Sequence, residues 1–175
     1  MRFADLRLVE GDSILCGEAM NLVRSLFDFN RRGFDEVARS AAEMTTGLDF
    51  FGRLRVAKGG EHRGEFNLEL FALGPLVENV RILAVRTGLP ETATVERVKS
   101  LLGRGELGVE LSQRLLRAYH DFVSQKLRLE IRRSGEGAFL KPEELDESEI
   151  ESLKEGVEEV VNLQRIVYQR FVANG

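Results

Sequence analysis

One cysteine and two histidines are all the soft metal ligands this chain owns, so Cys16 has no internal disulfide partner and His62 and His120 cannot complete a structural zinc site. No apolar run approaches the roughly 18 residues that cross a bilayer, and Met1-Arg-Phe-Ala-Asp5 lacks the apolar stretch of a signal peptide. The expected location is the cytoplasm, without a membrane partner. The net charge of −4 removes the concentrated basic surface that general nucleic-acid affinity requires, so nucleic acid is not an expected ligand. Lysine is confined to positions 58, 99, 126, 141 and 154. The remaining cations are arginines, whose planar forks suit phosphate and carboxylate. No Ser-His-Asp or Cys-His arrangement can be assembled from the spacing, and paired acids such as Glu143-Glu144 and Glu158-Glu159 sit in ordinary polar runs.

What is present is helical periodicity, in a chain whose 175 residues and 43% apolar content suit one packed core. Helices are expected at about Glu18 to Phe29 and Phe34 to Met44, with Gly47 ending the second through its access to positive φ. Another opens at Gly74-Pro75 and turns Leu73, Leu76, Val77, Val80, Ala84 and Thr87 to one face. Thr94 is placed to cap the next helix, and Glu96 to complement its dipole. A long helix is expected from about Glu110 to Arg133, and a second from the capping-box start Asp146-Glu-Ser-Glu149 to about Val172. The second repeats Ile150, Leu153, Val157, Val160, Gln164, Val167 and Phe171 at three-and-four spacing; the first answers with Leu111, Leu115, Ala118, Phe122, Gln125 and Leu129. Two such seams pack antiparallel, giving an all-α up-and-down bundle of four to six helices. The sole β element expected is a short hairpin of Arg53-Leu-Arg-Val56 with Glu65-Phe-Asn-Leu68 around a Gly-rich loop.

Candidate binding residues come from four places. The loop Gly59-Gly-Glu-His-Arg-Gly64 offers backbone N–H groups with His62 and Arg63, although it lacks the Lys-Ser/Thr ending of a P-loop. Arg81 lies roughly 80° from the centre of its helix's apolar stripe, able to reach a cleft without being buried outright. Arg97 follows Thr94 closely enough to project into the same cleft. Gln125 and Gln164, the polar members of the two seams, either line a polar pocket, pair with each other or with Arg, or set the packing register. Arg128 falls on the polar side of its helix with Arg117, Asp121 and Ser124. Arg114 and His120 point roughly 120° apart and share no face.

The Gly-rich loop, the Pro-started helix, Thr94-Val-Glu-Arg97 and Leu163-Gln164-Arg165 together resemble the nucleotidyltransferase substrate-binding domain family, over about Phe34 to Phe171. In that family a helical domain follows a nucleotidyltransferase domain, often with CBS or cyclic-nucleotide-binding modules upstream. Phe3-Ala-Asp5-Leu-Arg7 with Gly11-Asp12 resembles the closing segment of the catalytic domain, so residues 1–13 read as its tail, in extended alternation, and residues 14–175 as the helical domain. The chain departs from the family pattern at Asn67-Leu-Glu69, where Asp-Leu-Lys is usual, and at Glu130, where Gln is usual. The resemblance implies a helical partner that closes over the active site and orients the acceptor, as in PII uridylyltransferases. A Gly-Ser turn followed by an Asp-x-Asp pair is absent from the sequence, so catalysis would fall to the N-terminal domain in cis, with Mg2+ and a nucleoside triphosphate, a PII-like protein or small molecule as acceptor, and no cofactor in this chain. The competing expectation is a non-catalytic interaction or dimerisation module of a CBS-domain signalling protein, a homodimer included.

Overall fold

The computed structural model describes residues 5, 6, 8–29, 31–132 and 137–173. Phe3, Ala4 and Arg7 of the tail motif, and Arg133 at the expected end of a helix, lie outside the described residues. Among those described there are six α-helices: α1 (Ser13–Phe29), α2 (Arg31–Ala42), α3 (Gly74–Arg86), α4 (Thr94–Gly103), α5 (Val109–Arg132) and α6 (Glu147–Phe171). Two strands of two residues each, β1 (Phe66–Asn67) and β2 (Phe139–Leu140), complete a mostly helical architecture.

Helix α6 is the axis of the fold, packing against α5, α2 and α3, while α4 bridges α3 and α5 and α1 lies on α2. Its start obeys the sequence: Asp146 accepts from the Glu149 N–H at 2.8 Å and Glu149 returns the bond to the Asp146 N–H at 3.2 Å, a complete capping box. The α5–α6 pair is antiparallel. Arg114 meets Glu159 at 2.7 Å, Ser152 donates to Asp121 at 2.9 Å, and Arg128 meets Glu149 at 3.1 Å, the α6 partners falling in number as the α5 residues rise. The two seams supply the core between them, with Leu115, Ala118, Phe122 and Leu129 facing Leu153, Val157, Val160 and Val167, all buried. Gly156 allows the closest approach, because a Cβ there would meet the Phe122 ring at 2.8 Å.

Four local expectations are corrected. Gly47 does not end α2, which stops at Ala42, and it carries no positive φ; a Cβ at Gly47 would stand 2.9 Å from the Phe66 ring and 3.0 Å from the Phe71 carbonyl oxygen, so crowding, not conformation, requires glycine. The hairpin reduces to one antiparallel bridge, Val56 opposite Phe66. Strand β1 turns instead to β2, with Phe66 opposite Leu140 and Asn67 opposite Phe139, because that register buries two large apolar side chains side by side. Helix α3 does open at Gly74-Pro75, with the proline in its first turn. A π-helical turn, Glu69–Leu73, runs straight into it, the Gly74 N–H donating to the Glu69 carbonyl; a wider turn suits a proline that has no N–H to give. Thr94 is not the cap of α4 but its first residue; Ala93 holds the cap position, with no side-chain bond. Asp12, whose carboxylate accepts from the Ile14 N–H at 2.7 Å, starts α1, and no described residue of the first thirteen is in a strand.

Candidate anion-binding site

Helices α3 and α4 pack side by side and each contributes one arginine to a common point. Arg81 is 8% exposed and Arg97 2% exposed, so neither stands on an open cleft wall as the helical geometry had suggested. Both reach the same carboxylate, each at a different oxygen. Arg81 Nη2 lies 2.6 Å from Asp5 Oδ2, and Arg97 Nη2 lies 2.6 Å from Asp5 Oδ1. Buried cations must be paired or they leave an expensive uncompensated charge. The remaining partners show how this is met: Arg81 Nη1 pairs with Glu78 one turn back, and Arg97 Nε donates to the Glu91 carbonyl at 2.8 Å.

The connection between α3 and α4 is tied down around these groups. Ser100 on α4 donates to Glu91 Oε1 at 2.8 Å, and Arg104 donates to the Thr87 carbonyl. The Glu91 carboxyl is held below its ordinary range, first by a bond to its own backbone N–H and then by Ser100, against a smaller opposing effect of burial. For Arg81 burial is the largest single influence and pulls downward, but bonds to Glu78 and Asp5 outweigh it and leave the guanidinium more firmly protonated than usual. Charge is therefore fixed here. Three buried atoms still lack a hydrogen-bond partner: Arg81 Nε, Glu91 Oε2 and Asp5 Oδ1, the last close to Arg97 in distance but without a bond's alignment.

The other sequence candidates are placed elsewhere. His62 Nδ1 is 2.8 Å from Glu65 Oε2, and its ring stacks on Phe139 at 3.6 Å between centroids. Arg63 is exposed on the Gly-rich turn. Three N–H groups of that turn are spent on backbone carbonyls, Arg63 on Gly60, Gly64 on Ala57 and Glu65 on His62, which takes them from any phosphate. Gln164 is buried, and its Nε2 donates to the Met44 carbonyl at 2.8 Å, tying α6 to the segment after α2. Gln125 is half-buried near the opposite end of the α5–α6 pair, in a groove of about 250 Å³ with Arg128, Glu149 and Ser152. The two glutamines therefore share no pocket. Arg128 pairs with Glu149, His120 is exposed, and Arg114 is engaged by Glu159, so Arg114 and His120 form no joint site.

Two positions where the chain departs from the family pattern, Glu69 and Glu130, come together beside the candidate His62. A cavity of about 340 Å³ opens beside His62 and Phe139, lined also by Glu69, Lys126 and Glu130. Lys126 lies 2.7 Å from Glu69 Oε2, and that bond, more than the opposing burial, raises its pKa. Glu78, one turn before Arg81, was legible as a helical ion pair; Asp5 and Glu91 had no such signal. Among the described residues no group of three or more His, Cys, Asp or Glu could hold a metal ion, and no helix is long and apolar enough to cross a membrane.

A family model described as putative nucleotidyltransferase substrate binding domain matches residues 31–171, a span that includes Arg81 and Arg97 but not Asp5. No curated protein and no solved structure matches the chain.

Proposed function

Because the chain belongs to the family of nucleotidyltransferase substrate-binding domains, we propose that it is the helical half of a PII uridylyltransferase-like enzyme, orienting the acceptor at an active site supplied by an N-terminal domain in cis. The observation that supports this is the convergence of two buried arginines from two helices on one carboxylate. Their forks are held before any ligand arrives, so little side-chain freedom is left to lose on binding. Nucleotidyl transfer needs acidic ligands for divalent metal, and the described residues do not cluster in that way. In this reading magnesium and the nucleoside triphosphate belong to the catalytic domain, and this chain's task is to bind and align. Positioning of that kind is worth about a hundredfold in rate when a reactant is displaced by an ångström. In this reading the protein works in the cytoplasm, with a PII-like protein or a small molecule as acceptor and CBS or cyclic-nucleotide-binding modules as further neighbours.

The test is label transfer from UTP or ATP by the protein carrying both domains. Removing residues 31–171 is expected to lower acceptor labelling about a hundredfold while leaving nucleotide binding at the catalytic domain intact. Undiminished labelling would overturn the reading.

A second reading, an interaction or dimerisation module, is favoured by one observation. Helix α1, which touches α2, leaves Leu15, Leu22 and Leu26 exposed on one face. Light scattering with and without nucleotide separates the two, since a dimer indifferent to nucleotide fits only the module.

A further inference from the structure

We infer that the Arg81–Arg97 pair is a seat for a phosphoryl group and that Asp5 is its built-in occupant, which a ligand must displace. The inference rests on the reading of this domain as the substrate-binding half and adds the ligand's chemical class and the means by which access is controlled.

A carboxylate fits the seat incompletely. It is planar and has two oxygens, each taken by a single Nη2 from one arginine, while Arg81 Nε stays buried without a partner and Asp5 Oδ1 has no aligned hydrogen bond. A phosphoryl group presents three terminal oxygens in a tetrahedral array and carries up to two negative charges, so it can serve more of the two forks at once. Asp5 and Glu78 are the carboxylates that the described residues bring against Arg81, so withdrawal of Asp5 removes negative charge from beside both buried arginines.

The occupant is also the removable part. Arg81 and Arg97 are fixed by their own helices and by Glu78 and Glu91, whereas Asp5 comes from outside the matched span and keeps its side chain 30% exposed. Withdrawal of Asp5 leaves α3 and α4 in place. The chain thus competes with its own ligand, and apparent affinity falls by the fraction of molecules whose seat is open. If that fraction is about one in ten, removal of the competitor tightens binding about tenfold.

Inorganic phosphate is the first probe, titrated by calorimetry into the full chain, into Asp5→Ala and into the double variant Asp5→Ala/Arg81→Met, with thermal melts to establish that each is folded. Asp5→Ala is expected to bind phosphate about tenfold tighter than the unaltered chain, and the added Arg81→Met to abolish the gain. Should Asp5→Ala not fold, Asp5→Asn, which cancels the charge at nearly constant size, is held to the same criterion. Parallel arms with UTP, ATP and phosphoserine identify the source: tighter binding of the triphosphates assigns the seat to the nucleotide, and tighter binding of phosphoserine to a phosphorylated acceptor. Equal or weaker phosphate binding after removal of Asp5, or binding indifferent to Arg81→Met, would overturn the proposal. Label transfer that depends on residues 31–171 while phosphate binding ignores Asp5 keeps the transferase and removes the seat; the opposite pair of results keeps the seat alone.

Discussion

Gly156 on α6 lies so close to the ring of Phe122 on α5 that a methyl group in its place would stand 2.8 Å from a ring carbon and 3.2 Å from the Ala118 Cβ. Glycine inside a helix ordinarily costs about 1 kcal/mol relative to alanine, so its presence measures what the close contact is worth. Gly156→Ala is expected to destabilise the protein by about 1–2 kcal/mol despite the better helix former, because overpacking costs about 1–3 kcal/mol. Urea unfolding provides the number. The double variant with Phe122→Leu should be less destabilised than the two single changes added together, since the smaller side chain makes room.

Asn79 supplies a second core prediction. It is fully buried in α3, and its Nδ2 donates to the Ala41 carbonyl at 2.9 Å and to the Pro75 carbonyl at 2.8 Å. Asn79→Asp turns that donor into an acceptor facing two acceptors and buries a charge, so a loss of about 3–5 kcal/mol is expected at neutral pH. Circular dichroism against urea would reveal it, and near-native stability would mean that water reaches the site.

Such features divide what the sequence discloses from what it conceals. Helix α6, its capping box and the two facing seams are local regularities, legible because periodicity and the Asp146–Glu149 spacing act within one element. Arg81 and Arg97 were legible as candidates, but their convergence was not, since it depends on Asp5 arriving from far along the chain. The Gln164–Met44 bond likewise spans 120 positions. Strand β2 has two residues and no alternation to detect. Gly47 looked like a stop signal because positive φ is glycine's commonest use, whereas here the constraint is a neighbouring ring. The π turn before α3 was hidden by Pro75, which marks a helix start in most sequences.

Gln164 tests the line between structure and binding. Its Nε2 is satisfied by Met44, but its Oε1 is buried without a partner. Gln164→Leu removes one unmet acceptor and orphans one carbonyl, so a net change within about 1 kcal/mol is expected. Gln164→Ala adds a cavity and should cost more, about 2 kcal/mol. Neither change should alter phosphate affinity in the calorimeter, and a loss there without a loss of stability would return Gln164 to the binding residues.

The start of α6 predicts a response to acid. Bonds from the Glu149 N–H, the largest cause, and from Ser148 hold the Asp146 carboxyl below its ordinary 3.8, against a smaller effect of burial. A folded-state pKa lower than the unfolded one gives stability that is present above the unfolded value and disappears as pH falls through the folded one. Asp146→Asn keeps the capping acceptor without the charge. Its melting temperature should fall below that of the unaltered chain at neutral pH and converge with it in acid, as pH drops through the lowered carboxylate value. A gap that persists in acid would assign the cap's worth to geometry alone.

The carboxylate that neutralises Arg81 and Arg97 lies before residue 31, where the matched family span begins. Trimming the gene to residues 31–171 would thus delete the counter-ion and keep both cations, turning a balanced interior into one that must take up chloride, phosphate or another anion from its buffer. The excised fragment would melt at a temperature set by the salt in the tube, and its dependence on anion type would belong to the cut rather than to the protein.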